Sequence, residues 1–267
     1  MSLMPIEKAP AFFKERDGVF VGNDPARGPW SADHCHAGPV TGLVVRAAEG
    51  AVSPGKVLTR LTIDVLRPVP VAGIRVTAEV VRETRTLATT RVQVEALDGT
   101  VCVTGSSMHL TRKDLGDVPS APVVPLRLDE AEPGPPLLTG QLHDRSCFSQ
   151  FHEVRYPPGV GRVPGPKTVW MKVPPLLEGE DPSPIQSICA LADCGNGISW
   201  NAPLQEMGFM NTDLTLQIHR EPLPGWHASE AVSHWQPNGV GMSQAILHDI
   251  DGPVGVALQT LVLHPPR

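Results

Sequence analysis

No apolar run in the 267 residues approaches the roughly 18 that a membrane-crossing helix needs, so no membrane partner is expected. Met1 to Gly18 carries scattered charges and no apolar stretch, unlike a secretory leader. Cations are scarce: 22 Lys and Arg against 28 Asp and Glu give a net charge of −6. Following a nucleic-acid backbone takes concentrated Lys and Arg, so nucleic acid is excluded as a general partner. Cysteine is thin as well. Cys35, Cys102, Cys147, Cys189 and Cys194 make an odd five with no C-x-x-C pair, which argues against a disulfide scaffold and for a reducing cytoplasm. Aromatic residues are only 4%, which points to an aliphatic pocket lining.

The familiar catalytic motifs are missing too. There is no G-x-S-x-G, no P-loop, no strand-linked G-x-G-x-x-G and no H-E-x-x-H. Gly195-Asn196-Gly197 is a turn and not a phosphate cradle. His34 and His36 form an H-x-H pair, but no third and fourth zinc ligand stand at suitable spacing, so both read as polar loop histidines. Ser106 and Ser107 have no convincing His and Asp setting, which argues against covalent serine catalysis.

What is abundant is apolar residues, at 41%, and proline, with 29. The first is enough for a real core. The second concentrates in DLGDVPSAPVVPLRLDEAEPGPP, Asp114 to Pro136, which lacks helical or strand periodicity and reads as a linker. The expected organisation is an N-terminal unit over residues 1–112, a Pro-rich linker over 113–136 and a C-terminal unit over 137–267. The two units look related. LTIDVLR (Leu61 to Arg67) laid on LTLQIHR (Leu214 to Arg220) sets an offset of 153 residues, which also brings Asp98-Gly99 onto Asp251-Gly252, Leu110 onto Leu263 and Ala78 onto Ala231.

Periodicity supports strands around one helix per unit. Leu61, Ile63 and Val65 alternate with Thr62 and Asp64, and Leu214, Leu216 and Ile218 alternate with Thr215 and Gln217. Gly38 to Gly50 reads as the first helix. Ser183 to Gly197 reads as the second, with Ser183 as cap and Pro184 in the first turn. An α+β fold follows, with antiparallel sheets wrapped around apolar helices.

The second helix carries the best candidate. Ile185, Ile188, Cys189 and Ala192 form an apolar stripe, and Asp193 sits at its edge, where a carboxylate is partly desolvated at a cost unless it is paired or functional. It reads either as a helix-end Asp bonded to nearby backbone or as a water-activating base. Gln259 shares strand parity with Ala257 and Leu261, which puts an amide on an apolar face unless the opposite face is the buried one. Asn211 precedes the LTLQIHR strand and is either a turn residue or a third member of the group.

The stretches DHCHAGPVTGLVVRAAEG, LTRLTIDVLRPVPVAGIRVTAEVV, ALADCGNG, LTLQIHR and VALQTLVL together resemble the acyl-CoA thioesterase II-like proteins, over nearly the whole chain except the linker. The resemblance implies a double hotdog: two tandem units, each an antiparallel sheet wrapped around a central helix. It implies hydrolysis of an acyl-CoA, with no cofactor and a homo-oligomeric assembly. It gives Asp193, Asn211 and Gln259 the task of holding the attacking water, with Asn211 departing from the Thr or Ser of the family. Ala37 departs as well, standing where a second Gly follows the His. By the internal offset Ser106 replaces Gln259 and Leu58 replaces Asn211, so the first unit is expected to be catalytically empty. Arg67, Arg220 and Lys172 are the candidates, by charge, for the CoA phosphates. Two rivals remain: a hotdog hydratase, which wants a His near the helix, and a non-catalytic acyl-CoA-binding protein.

Overall fold

A computed structural model describes residues 6–137, 143–161 and 163–265. The first five residues of the Met1–Gly18 stretch lie outside them. The N-terminal half runs β1 (Phe13–Arg16), β2 (Val19–Gly22), α1 (Ala37–Ala51), β3 (Lys56–Val65), β4 (Ile74–Glu83), β5 (Leu87–Ala96) and β6 (Val101–Thr111). The C-terminal half opens with β7 (Glu132–Pro133), β8 (Glu153–Tyr156), β9 (Lys167–Lys172), α2 (Pro184–Ala192) and α3 (Gly195–Ile198). It closes with β10 (Gly208–Asn211), β11 (Asp213–Ile218), β12 (His227–Trp235), β13 (Val240–Asp249) and β14 (Gly252–His264). All pair antiparallel into one sheet, ordered β1-β2-β4-β5-β6-β3-β11-β14-β13-β12-β9-β8-β7, with β10 on β14.

The halves join where β3 pairs with β11. Thr62 faces Thr215, their hydroxyls 3.1 Å apart, with Asp64 opposite Asp213 and Arg60 opposite Gln217. Thr62 and Thr215 are the very residues that the 153-residue offset equates, so a pseudo-twofold axis passes between them.

The offset changes further along. Ala96 and Thr100 bracket a three-residue turn, Leu97 to Gly99, whereas Asp249 and Gly252 bracket only Ile250 and Asp251. One residue fewer in the second turn makes the offset from β6 to β14 one smaller. Leu61 pairs with Ser107, so Ser107, and not Ser106, holds the place of Gln259. Leu58 keeps the place of Asn211: it faces His109 as Asn211 faces Leu261.

The helices form much as their sequences dictate. In α1, Val40, Leu43, Val44, Val45 and Ala48 are buried, an apolar surface nearly all round that needs cover on several sides. The sheet of its own half supplies one cover and α2 another. Ser183 caps α2, accepting from the Gln186 N–H at 3.2 Å. The expected single helix over Ser183–Gly197 is instead two. The Asp193 N–H reaches the Cys189 carbonyl while that of Cys194 reaches Leu191, tightening the chain, and α3 turns onto the sheet. Gly195 makes that approach possible, because a Cβ there would lie 2.8 Å from Ser243 Oγ.

The Pro-rich segment is strapped down over its later part. Leu126 and Leu128 pack against the buried Trp170–Ala228 cluster, and Glu132–Pro133 adds a short strand beside Tyr156 and Arg155.

The crossing of α1 and α2 sets the spacing of everything between them. A Cβ on Gly38 would stand 2.8 Å from the Ala190 carbonyl oxygen and 2.9 Å from its Cα. Gly38→Ala is therefore expected to cost about 1–3 kcal/mol by overpacking. Gly50→Ala, in the same helix with open space around it, is expected to add up to about 1 kcal/mol. Thermal melts of the two variants, moving in opposite directions, check this.

Candidate active site

Asp193 caps the C-terminus of α2 and is 4% exposed. Two side-chain amides converge on its Oδ1. Asn211 Nδ2 donates at 2.8 Å from the end of β10, and Gln259 Nε2 donates at 3.0 Å from β14 while also reaching the Asp193 carbonyl at 2.9 Å. Gln259 is there because Ala257, Gln259 and Leu261 share the buried face of β14, while Leu258 and Val262 face outward. Asn196, which the sequence places only in a turn, locks both amides. Its backbone N–H donates to Gln259 Oε1 at 3.1 Å, and its own amide lies 3.5 Å from Asn211 Oδ1.

The other side of the carboxylate faces the N-terminal half. The Gly38 N–H, at the start of α1, also serves it. His36 Nδ1 lies 3.2 Å from Asp193 Oδ2 and accepts from the same Gly38 N–H at 3.1 Å. The reading of His36 as a polar loop histidine is thus corrected: it is the buried N-cap of α1. An H-x-H pair just before a helix was the available signal, but nothing in the sequence said which helix end it would meet. His34 stays at the rim, bridged to Pro70. Among the described residues no cluster of three or more His, Cys, Asp or Glu is arranged around a metal position.

The scarce aromatics gather here. The His36 ring stacks on Phe148, centroids 4.3 Å apart at 17°, and Trp30 covers its other neighbourhood at 5.5 Å. Phe148 in turn touches Phe12 and His152. Phe148 is held by its N–H to the Arg27 carbonyl, so a C-terminal-half segment roofs an N-terminal-half histidine. Composition alone had suggested aliphatic surroundings.

Burial dominates the titration. It pushes Asp193 up to about 7 against the lowering pull of Asn211, Gly38 and Gln259. It pulls His36 down to about 3, assisted by His152, so the imidazole is neutral. These opposite displacements leave a proton-accepting acid beside an uncharged base.

The remaining candidates lie elsewhere. Arg220 is committed to Asp249 through two 2.7 Å bonds, Arg67 is exposed and bonds its neighbour's carbonyl, and Lys172 ends β9. None is among the groups around Asp193. Ser107 does have a histidine: its Oγ is 2.7 Å from both His109 Nε2 and Thr90 Oγ1, all three buried. Alternation on β6 puts Ser107 and His109 on one face, a spacing that the sequence already showed. All five cysteines are free and buried, and among the described residues no helix is long and apolar enough to cross a membrane.

The family model of the acyl-CoA thioesterase N-terminal domain matches residues 26–110, and that of the C-terminal domain matches residues 123–263. The chain belongs to the acyl-CoA thioesterase family. As a member of the acyl-CoA thioesterases it is a thioester hydrolase. Solved structures agree on the fold. A Novosphingobium aromaticivorans protein superposes with a TM-score of 0.73 at 22% identity, covering 95% of this chain and 99% of its own. A conserved hot dog protein from Alicyclobacillus acidocaldarius gives 0.71 at 16% identity, with 96% of each chain covered. Acyl-CoA thioesterase II TesB2 from Mycobacterium marinum gives 0.63 at 17%, covering 95% of this chain and 94% of that one. No curated protein matches. The thioesterase fold here is therefore α+β and of the hotdog kind.

The raised pKa of Asp193 has a stability consequence. Asp193 binds its proton more tightly folded than unfolded, so its contribution is complete below about pH 4 and is lost as the pH rises through about 7. Asp193→Asn removes that loss and keeps the size and the two amide bonds to Oδ1. It is expected to raise the Tm at pH 8 by at least the ~2 °C that 1 kcal/mol gives in a chain of this size. The difference from the parent should shrink on lowering the pH toward 4, as thermal melts across that range would show.

Proposed function

We propose that this protein hydrolyses an acyl-CoA to the free acid and CoA through a water activated by Asp193. The observation that carries the reading is the convergence of Asn211 and Gln259 on one oxygen of a buried carboxylate whose other oxygen meets the N-terminus of α1. A thioester is already activated toward acyl transfer, so an oriented water and a base suffice. Asp193 accepts the water proton. Gln259 fixes the plane of the carboxylate, and Asn211, with its second amide N–H, holds the water oxygen. The N-terminus of α1 supplies backbone N–H groups and a positive dipole end for the developing oxyanion. No cofactor enters the reaction.

The architecture we propose is a double hotdog, with units over 1–112 and 137–267 and the segment 113–136 between them. One site per chain follows, because Leu58 and Ser107 stand where Asn211 and Gln259 would be. A homo-oligomer is the expected assembly. The exposed apolar residues Met242, Ile246, Val256 and Leu258 on the outer face of β13 and β14 support it, and five free thiols suit a cytoplasmic location. A second reading, a hotdog hydratase, gains from one observation: His36 of the other half stands beside Asp193, where the sequence offered no histidine. A binding protein without turnover would be favoured only by Asn211.

Thiol release from acyl-CoAs of short, medium, long and aromatic chains tests these together. Hydrolysis is expected, with kcat falling about 10²–10⁴-fold in Asp193→Asn and rising in the parent as the pH passes through about 7. Loss of enoyl-CoA conjugation without thiol release would favour the hydratase. Saturable binding with neither reaction would favour the binding protein.

A further inference from the structure

The hydrolysis proposed above leaves one chemical need unmet. The bond that breaks is carbon to sulfur, its electron pair goes to sulfur, and the alkyl thiolate so formed, although a better leaving group than hydroxide, is basic enough to take up a proton and end as the thiol. We infer that His36 delivers that proton, coupling Asp193 on one side of its ring to the departing sulfur on the other. The inference rests on the thioesterase reading and extends it to the fate of the proton that Asp193 receives.

The hydrogen bonds assign the tautomer. His36 Nδ1 accepts from the Gly38 N–H at 3.1 Å, so it carries no proton of its own and the ring hydrogen is on Nε2. That same Nδ1 lies 3.2 Å from Asp193 Oδ2. While Asp193 is a carboxylate the two acceptors share the Gly38 N–H between them. Once Asp193 has taken a proton from water, its O–H points at an acceptor already in place. The ring is fixed in orientation by Phe148 at 4.3 Å and 17° and by Trp30 at 5.5 Å. Trp30 is 49% exposed while Asp193 and His36 are buried, so the contacts from Asp193 through His36 to Trp30 lead from the interior to the surface. A histidine serving only to cap α1 would need neither contact with Asp193 nor a ring stacked on Phe148.

The proton balance closes. Water adds to the carbonyl carbon and gives one hydrogen to Asp193. On collapse of the tetrahedral intermediate, Asp193 passes that hydrogen to His36 Nδ1, while the Nε2 hydrogen goes to sulfur. The products are the carboxylic acid and the free thiol. The acid then returns a proton to Nε2, Nδ1 gives its own back to Asp193, and Asp193 yields it to the water that refills the site, so each turnover frees one proton net and restores the starting tautomer. Neutral imidazole is what such a relay requires, and burial keeps His36 neutral.

His36→Asn is the test variant, since an Asn at an N-cap still accepts from the helix N–H groups but cannot relay a proton. Two thioesters of one acyl group are compared, the CoA ester and an aryl thioester whose thiolate departs without protonation. For the variant, kcat on the CoA ester is expected to fall about 10²-fold or more, and on the aryl ester by no more than about threefold. Equal losses on both esters, with an unchanged melting temperature, would overturn the relay and reduce His36 to a positioning residue. Release of thiol from neither ester by the parent protein would instead remove the thioesterase reading, and the relay with it.

Discussion

The close approach of α1 to α2 at Gly38 and Ala190 is the contact on which the site depends. Two helices meeting this tightly need a residue without a side chain at the crossing. What the approach achieves is electrostatic as much as steric. Asp193 ends α2, where its own helix dipole disfavours a negative charge, and only the N-terminus of α1, brought in by the crossing, reverses the sign of the local field. A few tenths of an ångström of separation would take the Gly38 N–H and His36 away together. Stability, acidity and catalytic geometry are therefore set by one backbone contact between two halves of the chain.

The pseudo-twofold relation makes this a comparison within one molecule. The reciprocal end of the helix pair also has an acid, half-buried. Glu49 of α1 accepts from Ser183 Oγ at 3.0 Å and from Gln186 Nε2 at 2.8 Å, at the N-terminus of α2. Burial raises its pKa as well. What differs is the sheet beneath. On the C-terminal side Asn211 and Gln259 turn their amides toward the acid. On the N-terminal side Leu58 is apolar, and Ser107 spends its hydroxyl on His109 and Thr90. Glu49 is left joining the two helices, assisted by the Arg46–Glu180 pair at 2.7 Å. The same architecture thus holds one carboxylate between two helices and the other beneath a pair of amides, and the difference comes down to two strand positions.

Legibility in the sequence followed the range of the interactions. Strand parity, both helix positions, the Ser183 cap and the duplicated pattern were readable because each depends on neighbours a few residues away. Gln259 was readable as an amide on an apolar face, although alternation alone left open which face was buried. Ser106 failed as its counterpart because a gapless offset cannot register a turn shortened by one residue, and in a strand such a slip moves a side chain to the opposite face. His36 failed for a different reason. Its partner Asp193 is 157 positions away, and only the crossing of the helices brings them together. Asn196 failed because the turn residues around it hid a break between α2 and α3 that exists to bring Gly195 onto the sheet.

The break also explains why Asp193 suits proton transfer when an ordinary helical aspartate would not. A carboxylate inside the apolar stripe of α2 would be dehydrated with no partners and would simply stay protonated. A carboxylate one turn further out would be solvated and fully ionised. At the last position of α2, just before the chain leaves for α3, Asp193 is deep enough to lose water and still reachable by donors from β10, β14 and α1. Burial and hydrogen bonding then oppose each other, and burial prevails, which brings its pKa to about 7. That opposition needs contributions from both halves. A single half offers the amides or the helix N-terminus but not both, so the environment of Asp193 exists only where the two halves meet.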